Sequence, residues 1–173
     1  MTHAQDLLIA IDPGSVHVGV AQYRARPLTT STYDVWAREL TPDVTISWLW
    51  TILEFAAASE YPPVAVAYET FRVRSGTPLG GSSLEVVQMI GAIKAIATRY
   101  RAPLTAVTPQ TRSVHTVRLS TRSNPWAGVG DHAHDAQAVG AAALALDPED
   151  YVPHKDATPP PFAWPSREGA ACP

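Results

Sequence analysis

Residues 7–24 read LLIAIDPGSVHVGVAQYR. An unbroken apolar run, Leu7 to Ile11, ends in a single carboxylate, Asp12. The chain then turns through Pro13-Gly14 into a second apolar run, Val18 to Tyr23. An uninterrupted run of this length suits a strand covered on both faces. Pro-Gly marks a tight turn, so the second run reads as an antiparallel neighbour. Aspartate before Pro-Gly often does no more than cap the turn. Asp12 alone therefore does not separate a turn residue from a functional one.

The surrounding chain supplies the context. Residues 32–38 (TYDVWAR) alternate well enough for a third strand, which makes the first three a meander. TPDVTISWLWTILEFAAASEY (41–61) opens with Asp43 as a capping-type residue and carries two apolar stripes at helical spacing. One stripe holds Ile46, Leu49, Trp50, Leu53 and Ala57; the other holds Trp48, Ile52 and Phe55. Pro62-Pro63 ends that helix. VAVAYE (64–69) is a short buried strand ending in a second carboxylate, Glu69, and a polar glycine-rich loop follows it. A long helix is expected over 82–100, with Val86, Ile90, Ile93, Ala97 and Tyr100 on one face. Gly91 sits in its middle at a cost of ~1 kcal/mol relative to alanine. PLTAV (103–107) is a further strand, a polar segment with one short helix follows Pro109, and an alanine-rich helix begins near Asp131. The order β-β-β-α-β-α-β-(α)-α predicts an α/β domain: a five-stranded mixed sheet, three strands antiparallel and the rest parallel, with helices on its faces. The domain is expected to span 1–146. Residues 147–173 are proline-rich and are expected to form a flexible tail outside helix and sheet.

Composition narrows the function classes. With 46% hydrophobic and 17% charged residues the chain is globular in type. It has no apolar run of the ~18 residues that a membrane span needs. The N-terminus lacks a signal-peptide pattern and the lone Cys172 closes no internal disulfide, so a cytoplasmic protein without a membrane partner is expected. The net charge is −3, yet between Tyr61 and Gly130 eight basic residues face only two acids, Glu69 and Glu85. A basic middle of this kind suits a polyanion, or is simply a solvated basic face.

The carboxylates give the sharper signal. Asp12 and Glu69 each close a buried strand, and both emerge at one sheet edge if those strands are neighbours. His132 and Asp135, at i and i+3 on the last helix, share a face and can join them. Acids gathered at one buried edge raise one another's pKa unless a cation lies between them. Oxygen ligands of this type favour Mg²⁺ or Mn²⁺, and two such ions suit in-line phosphodiester hydrolysis. Each residue also has a plainer role: Glu69 as an exposed strand end, Asp131 as an N-cap, His132 as a first-turn residue facing solvent.

Taken in order, these motifs resemble the RuvC-type Holliday junction resolvases of the RNase H-like nuclease superfamily. IDPGS followed by GVA is similar to that family's first motif, VAYETF to its second, and QMIGAIKAIA to its dimer-forming helix. His132-Ala133-His134-Asp135-Ala136 is similar to its last motif, and the resemblance runs from about Leu7 to Leu146. It implies an RNase H-like fold and a homodimer acting on four-way DNA junctions with two Mg²⁺ ions per site, leaving 5′-phosphate and 3′-hydroxyl nicks. Asp12 would bridge the metals, with Glu69, His132 and Asp135 completing the site; the i, i+4 pair Asp131/Asp135 is the alternative to His132. Phe71 matches an aromatic that stacks on bases, although it could equally make a plain apolar contact. Arg72 and Arg74 suit phosphates. Between Pro109 and Gly130 the chain departs from the family in having a shorter basic stretch with arginines in place of lysines, and Arg112, Arg118 and Arg122 are the expected substitutes. Gly91 would let two copies of its helix approach. A partner for the tail is not identified. Other readings are an RNase H-like nuclease for RNA, RNA–DNA hybrids or flaps (YqgF-like), and a catalytically silent branched-DNA-binding module. An actin- or hexokinase-type ATPase needs a second such domain, for which the chain is too short.

Overall fold

The computed structural model describes residues 7–25, 33–58, 64–71, 81–120, 131–147 and 150–153. Strands β1 (Leu7–Asp12), β2 (Val18–Ala25) and β3 (Tyr33–Leu40) form the expected meander, followed by helix α1 (Pro42–Ala58). Then come β4 (Val64–Glu69), α2 (Ser82–Arg99), β5 (Leu104–Val107), α3 (Pro109–Ser120) and α4 (Asp131–Leu144). With a last short strand, β6 (Tyr151–Pro153), the sheet order is β5-β4-β1-β2-β3-β6. β2 is antiparallel to both neighbours, while β4 runs parallel to β1 and β5.

The five expected strands are all present. The expectation that nothing past residue 147 joins helix or sheet needs correction: β6 (Tyr151–Pro153) pairs in parallel with Tyr33–Val35 of β3. A proline is tolerated on an edge strand because its missing N–H costs no ladder bond on the outer side.

The two faces of the sheet are packed differently. One carries Leu7, Ile9, Ile11, Val18, Val20, Val66 and Tyr68 against α1 and α2, a layer of large side chains. α1 buries Thr45, Trp48, Leu49, Ile52 and Leu53, one stripe at i, i+3, i+4, i+7 and i+8. This corrects the stripes read from sequence, because Trp50 and Phe55 are 37% and 52% exposed. Trp50 instead meets the Tyr100 ring edge-on, with the Arg99 guanidinium over it. α1 begins at Pro42 after Thr41, so Asp43 lies in the first turn rather than at the cap.

The opposite face combines Leu8, Tyr23, Tyr33 and Val35 with a patch of small residues. Ala10, Ala21, Ala37, Ala65 and Ala67 meet Ala133, Ala136, Ala138 and Ala141 of α4. Alanine against alanine brings the helix axis close to the sheet, and glycines allow the closest points. A Cβ on Gly140 would lie 2.0 Å from the Tyr23 ring, and one on Gly19 would lie 1.7 Å from the carbonyl oxygen of His132. Tyr23 Oη donates to the Gln137 carbonyl at 2.5 Å. α4 is thereby seated with its N-terminus over β2, beside the end of β1.

Candidate active site

Strand register sets the first two groups of the site. β1 and β4 pair Leu7 with Val64 and continue to Ile11 with Tyr68, so Asp12 and Glu69 are the next step of the same parallel ladder. Side chains alternate along a strand. Leu8 and Ala10 face α4, as do Ala65 and Ala67, so Asp12 and Glu69 rise together on that face. Asp12 is 7% exposed. The helix adds the others. His132 Nδ1 lies 2.7 Å from Asp12 Oδ2, and Asp135, one turn on, lines the same cavity as Glu69. Asp131 is exposed at the start of α4 and does not line that cavity, so His132 is the residue that the structure brings to Asp12.

α3 contributes a cation. Thr108 caps its first turn: the Thr111 N–H donates to Thr108 Oγ1 at 3.2 Å, and Pro109 starts the helix. That fixes Arg112 one turn in, with Nε 2.9 Å from Glu69 Oε2 and Nη1 against Asp135 Oδ1. Sequence reading assigned Arg112 to phosphate contact and missed this bridge. The cap signature Thr-Pro-x-Thr was the available clue to where a turn of helix would carry the arginine. Phe71, Val86 and Pro109 form an apolar wall of the same cavity, which has a volume of about 340 Å³. Phe71 is 39% exposed there. Arg72, Arg74 and Arg122 lie outside the described residues, as does the side chain of Arg118. Gly91 does not line this cavity; it is exposed on α2, with open space where a Cβ would project.

A residue overlooked in the sequence, Glu39 of β3, also reaches the site. Its Oε1 accepts from the backbone N–H of His132 at 3.0 Å, and its Oε2 is 3.9 Å from His17 Nδ1. Only its place at the end of an apolar strand marked it.

The electrostatics follow from crowding. Burial raises the Asp12 pKa, opposed by its bond to His132 and reinforced by the charge of Asp135. Burial lifts Glu69 to about 7; Arg112 pulls it down, while Asp12 and Asp135 push it up. Asp12 and Glu69 are close enough to titrate as a coupled pair, with both carboxyls held above their ordinary range. For His132, burial would lower the pKa, but the bond and charge of Asp12, with Glu39 and Asp135, raise it overall. Buried carboxylates held above their usual range are groups that a divalent cation would relieve. Three acid side chains and one imidazole on one cavity fit Mg²⁺ or Mn²⁺ in donor chemistry. Among the described residues no three of them already form a metal cage. The Arg112 guanidinium holds the position between Glu69 and Asp135.

The raised Glu69 pKa has a thermodynamic signature. Between its ordinary value of 4.5 and about 7, the folded protein keeps a proton that the unfolded chain has lost. The metal-free protein therefore loses stability as pH rises through that window. Glu69→Gln is expected to melt with the parent near about pH 5 and a few degrees above it near about pH 8, since ~1 kcal/mol moves a chain of this size by roughly 2–4 °C. Thermal melts in chelator check this; an equal offset at both pH values would trace the effect to something other than ionisation.

No protein-family profile matches the sequence, and no curated protein matches it. Among solved structures the chain is similar to Thermus thermophilus RuvC in complex with a Holliday junction substrate. The TM-score is 0.56 at 19% identity, covering 80% of this chain and 92% of that one. A second Thermus thermophilus RuvC structure gives 0.50 at 17% identity, over 80% and 93% of the two chains. The yeast mitochondrial Holliday junction resolvase Ydc2 gives 0.51 at 14% identity, over 82% and 79%. At these identities the likeness establishes the fold: the RNase H-like architecture of the RuvC-type resolvases, as the motifs implied.

Proposed function

We propose that the protein is a metal-dependent endonuclease that resolves four-way DNA junctions. The observation that carries this reading is the meeting of Asp12, Glu69, His132 and Asp135 in one cavity, on a fold shared with junction resolvases. Asp12, Glu69 and Asp135, with His132, would hold divalent ions, which when bound supply Lewis-acid stabilisation of the reacting phosphodiester and an acidified water. The protein's own groups do the rest. Asp12 orients the His132 ring through the 2.7 Å contact. Glu69, with a pKa of about 7 in the metal-free state, would release its proton as the ions bind, so metal affinity is expected to rise with pH through neutrality. The half-exposed Phe71 ring at the mouth offers a surface for a base unstacked at the junction centre. Arg72, Arg74, Arg118 and Arg122 are proposed phosphate contacts, which give affinity and orientation without sequence readout. Hydrolysis would leave 5′-phosphate and 3′-hydroxyl ends.

A junction has near two-fold symmetry, so an isologous dimer would present one site to each of two opposed strands. The outer face of α2 supports this. Leu84 and Val87 are 46% and 39% exposed, and Gly91 follows on the same face with open space above it.

Arg112 is assigned two successive partners in this reading, the carboxylates first and the scissile phosphate later. Arg112→Gln is expected to tighten Mn²⁺ binding several-fold in the absence of DNA, because a competing positive charge leaves the acids. It is also expected to slow junction cleavage about tenfold or more, because a phosphate contact is lost. Calorimetric titration and single-turnover kinetics give the two numbers; unchanged metal affinity would separate Arg112 from the site.

The function itself is tested by incubating the protein with a synthetic mobile junction, a linear duplex and an RNA–DNA hybrid, with and without Mg²⁺. Paired nicks in the junction, dependent on Mg²⁺, are expected. Cutting of the hybrid alone would move the protein to the RNA-directed nucleases, and metal-independent binding without hydrolysis would make it a binding module.

A further inference from the structure

The row of residues that crosses the sheet at the site does not stop at the two acids. Asp12 pairs with Gly19 on β2, and Gly19 pairs with Glu39 on β3. The row on the α4 face is thus Glu69, Asp12, Gly19, Glu39: two acids, a gap with no side chain, and a third acid. The N-terminus of α4 settles into that gap, with the His132 carbonyl where a Gly19 side chain would project. His132 is then gripped from both sides. Asp12 takes its ring, at 2.7 Å, and Glu39 takes its backbone N–H, at 3.0 Å.

We infer that Glu39 is the positioning residue of this site: it fixes where α4 begins and so delivers His132 to Asp12. The first N–H groups of a helix have no partner within the helix and need an acceptor from elsewhere. Here a carboxylate from a distant strand supplies one such acceptor, and its charge also suits the positive end of the helix dipole. The other Glu39 oxygen faces His17 Nδ1, 3.9 Å away, in the segment that follows the Asp12-Pro13-Gly14 turn. Gly14 lies under the same ring, a Cβ there coming within 3.4 Å of His132 Cε1 and 1.8 Å of the His17 carbonyl oxygen. Glu39 therefore links β3 to the start of α4 and lies beside the segment that follows the turn after β1, the three pieces whose relative placement sets the Asp12–His132 contact. It does so without lining the cavity. Its effect on chemistry is indirect.

This inference rests on the nuclease reading for its catalytic consequence, but its structural core does not. The test compares the parent with Glu39→Ala and Glu39→Gln. Glutamine keeps a carbonyl oxygen that can accept from the His132 N–H, whereas alanine keeps none. Three readouts are taken: exchange of the His132 amide proton and the ring resonances of His132 by NMR, Mn²⁺ affinity without DNA, and kcat and KM for junction cleavage. Glu39→Ala is expected to speed His132 amide exchange tenfold or more, to shift its ring signals, to weaken Mn²⁺ binding several-fold, and to lower kcat about tenfold with little change in KM. Glu39→Gln is expected to recover most of each loss. Unaltered His132 signals in the alanine variant would overturn the inference, as would a glutamine variant as impaired as the alanine one. If the parent cuts no junction, the nuclease reading fails while the NMR arm still decides the role of Glu39.

Discussion

Asp12→Asn and Glu69→Gln are each expected to reduce junction cleavage by roughly 10²–10³-fold or more, the scale set by removing one preorganised electrostatic group from an enzyme site, while junction binding persists. Both changes preserve shape and remove only charge. Asp12 lies almost wholly buried between the His132 ring and Glu69, so its amide would break the ring contact or reverse its polarity. At position 69 the amide holds a metal ion poorly, since neutral amides are weaker ligands for hard cations than carboxylates. Binding survives because the proposed phosphate contacts lie on other residues. Gel shifts of a four-way junction in chelator, beside cleavage assays in Mg²⁺, separate the two effects. The glutamine variant is informative twice over, since it should be inactive yet more stable than the parent above neutral pH. Full cleavage by either variant would remove that acid from the mechanism.

Gly19→Ala is expected to damage the fold itself. A methyl group there would sit 1.7 Å from the His132 carbonyl oxygen and 2.3 Å from its carbon. These are backbone atoms at the start of a helix, which no rotamer change can move aside. α4 would have to lift off the sheet, opening the alanine-on-alanine layer and drawing His132 away from Asp12. Overpacking of this kind costs roughly 1–3 kcal/mol, sometimes more. Denaturant unfolding should show the loss, with cleavage falling further than stability alone explains. Gly91→Ala is the control. Its Cβ meets nothing, so the added helix propensity is expected to stabilise the isolated chain by up to ~1 kcal/mol. If two copies do pack on α2, the same methyl group should weaken their association. Equal tolerance at positions 19 and 91 would contradict the packing described.

How far the sequence revealed this arrangement depends on the range of the interaction involved. Asp12 and Glu69 were legible because each ends an unbroken apolar run, a local pattern that carries strand identity and burial together. The alanine-rich character of α4 was legible too, but not its purpose, since close approach to the sheet depends on Ala10, Ala21, Ala37, Ala65 and Ala67 on other strands. The choice between His132 and Asp131 turned on a single residue of helix phase. Spacing arguments cannot fix that phase without knowing where α4 meets β2. Glu39 and the Arg112 bridge stayed hidden because both act across large distances in the chain, and neither is set apart by its immediate neighbours. In α1, Trp50 and Phe55 were assigned to buried stripes on hydrophobicity alone. The structure places them outward, where Trp50 packs with Arg99 and Tyr100. Large aromatics with polar company need not belong to a core.

The parallel ladder between β1 and β4 limits how a lineage bearing this site can drift. Deleting one residue from the middle of either strand would turn its terminal acid through half a revolution, out of reach of α4 and into the bulky layer beneath α1 and α2. A matching deletion in the other strand would bring the two acids together again only on the face turned away from α4, so it could not restore the site. Changes in length should therefore accumulate in the connections between elements, while the spans from Leu7 to Asp12 and from Val64 to Glu69 keep a constant count.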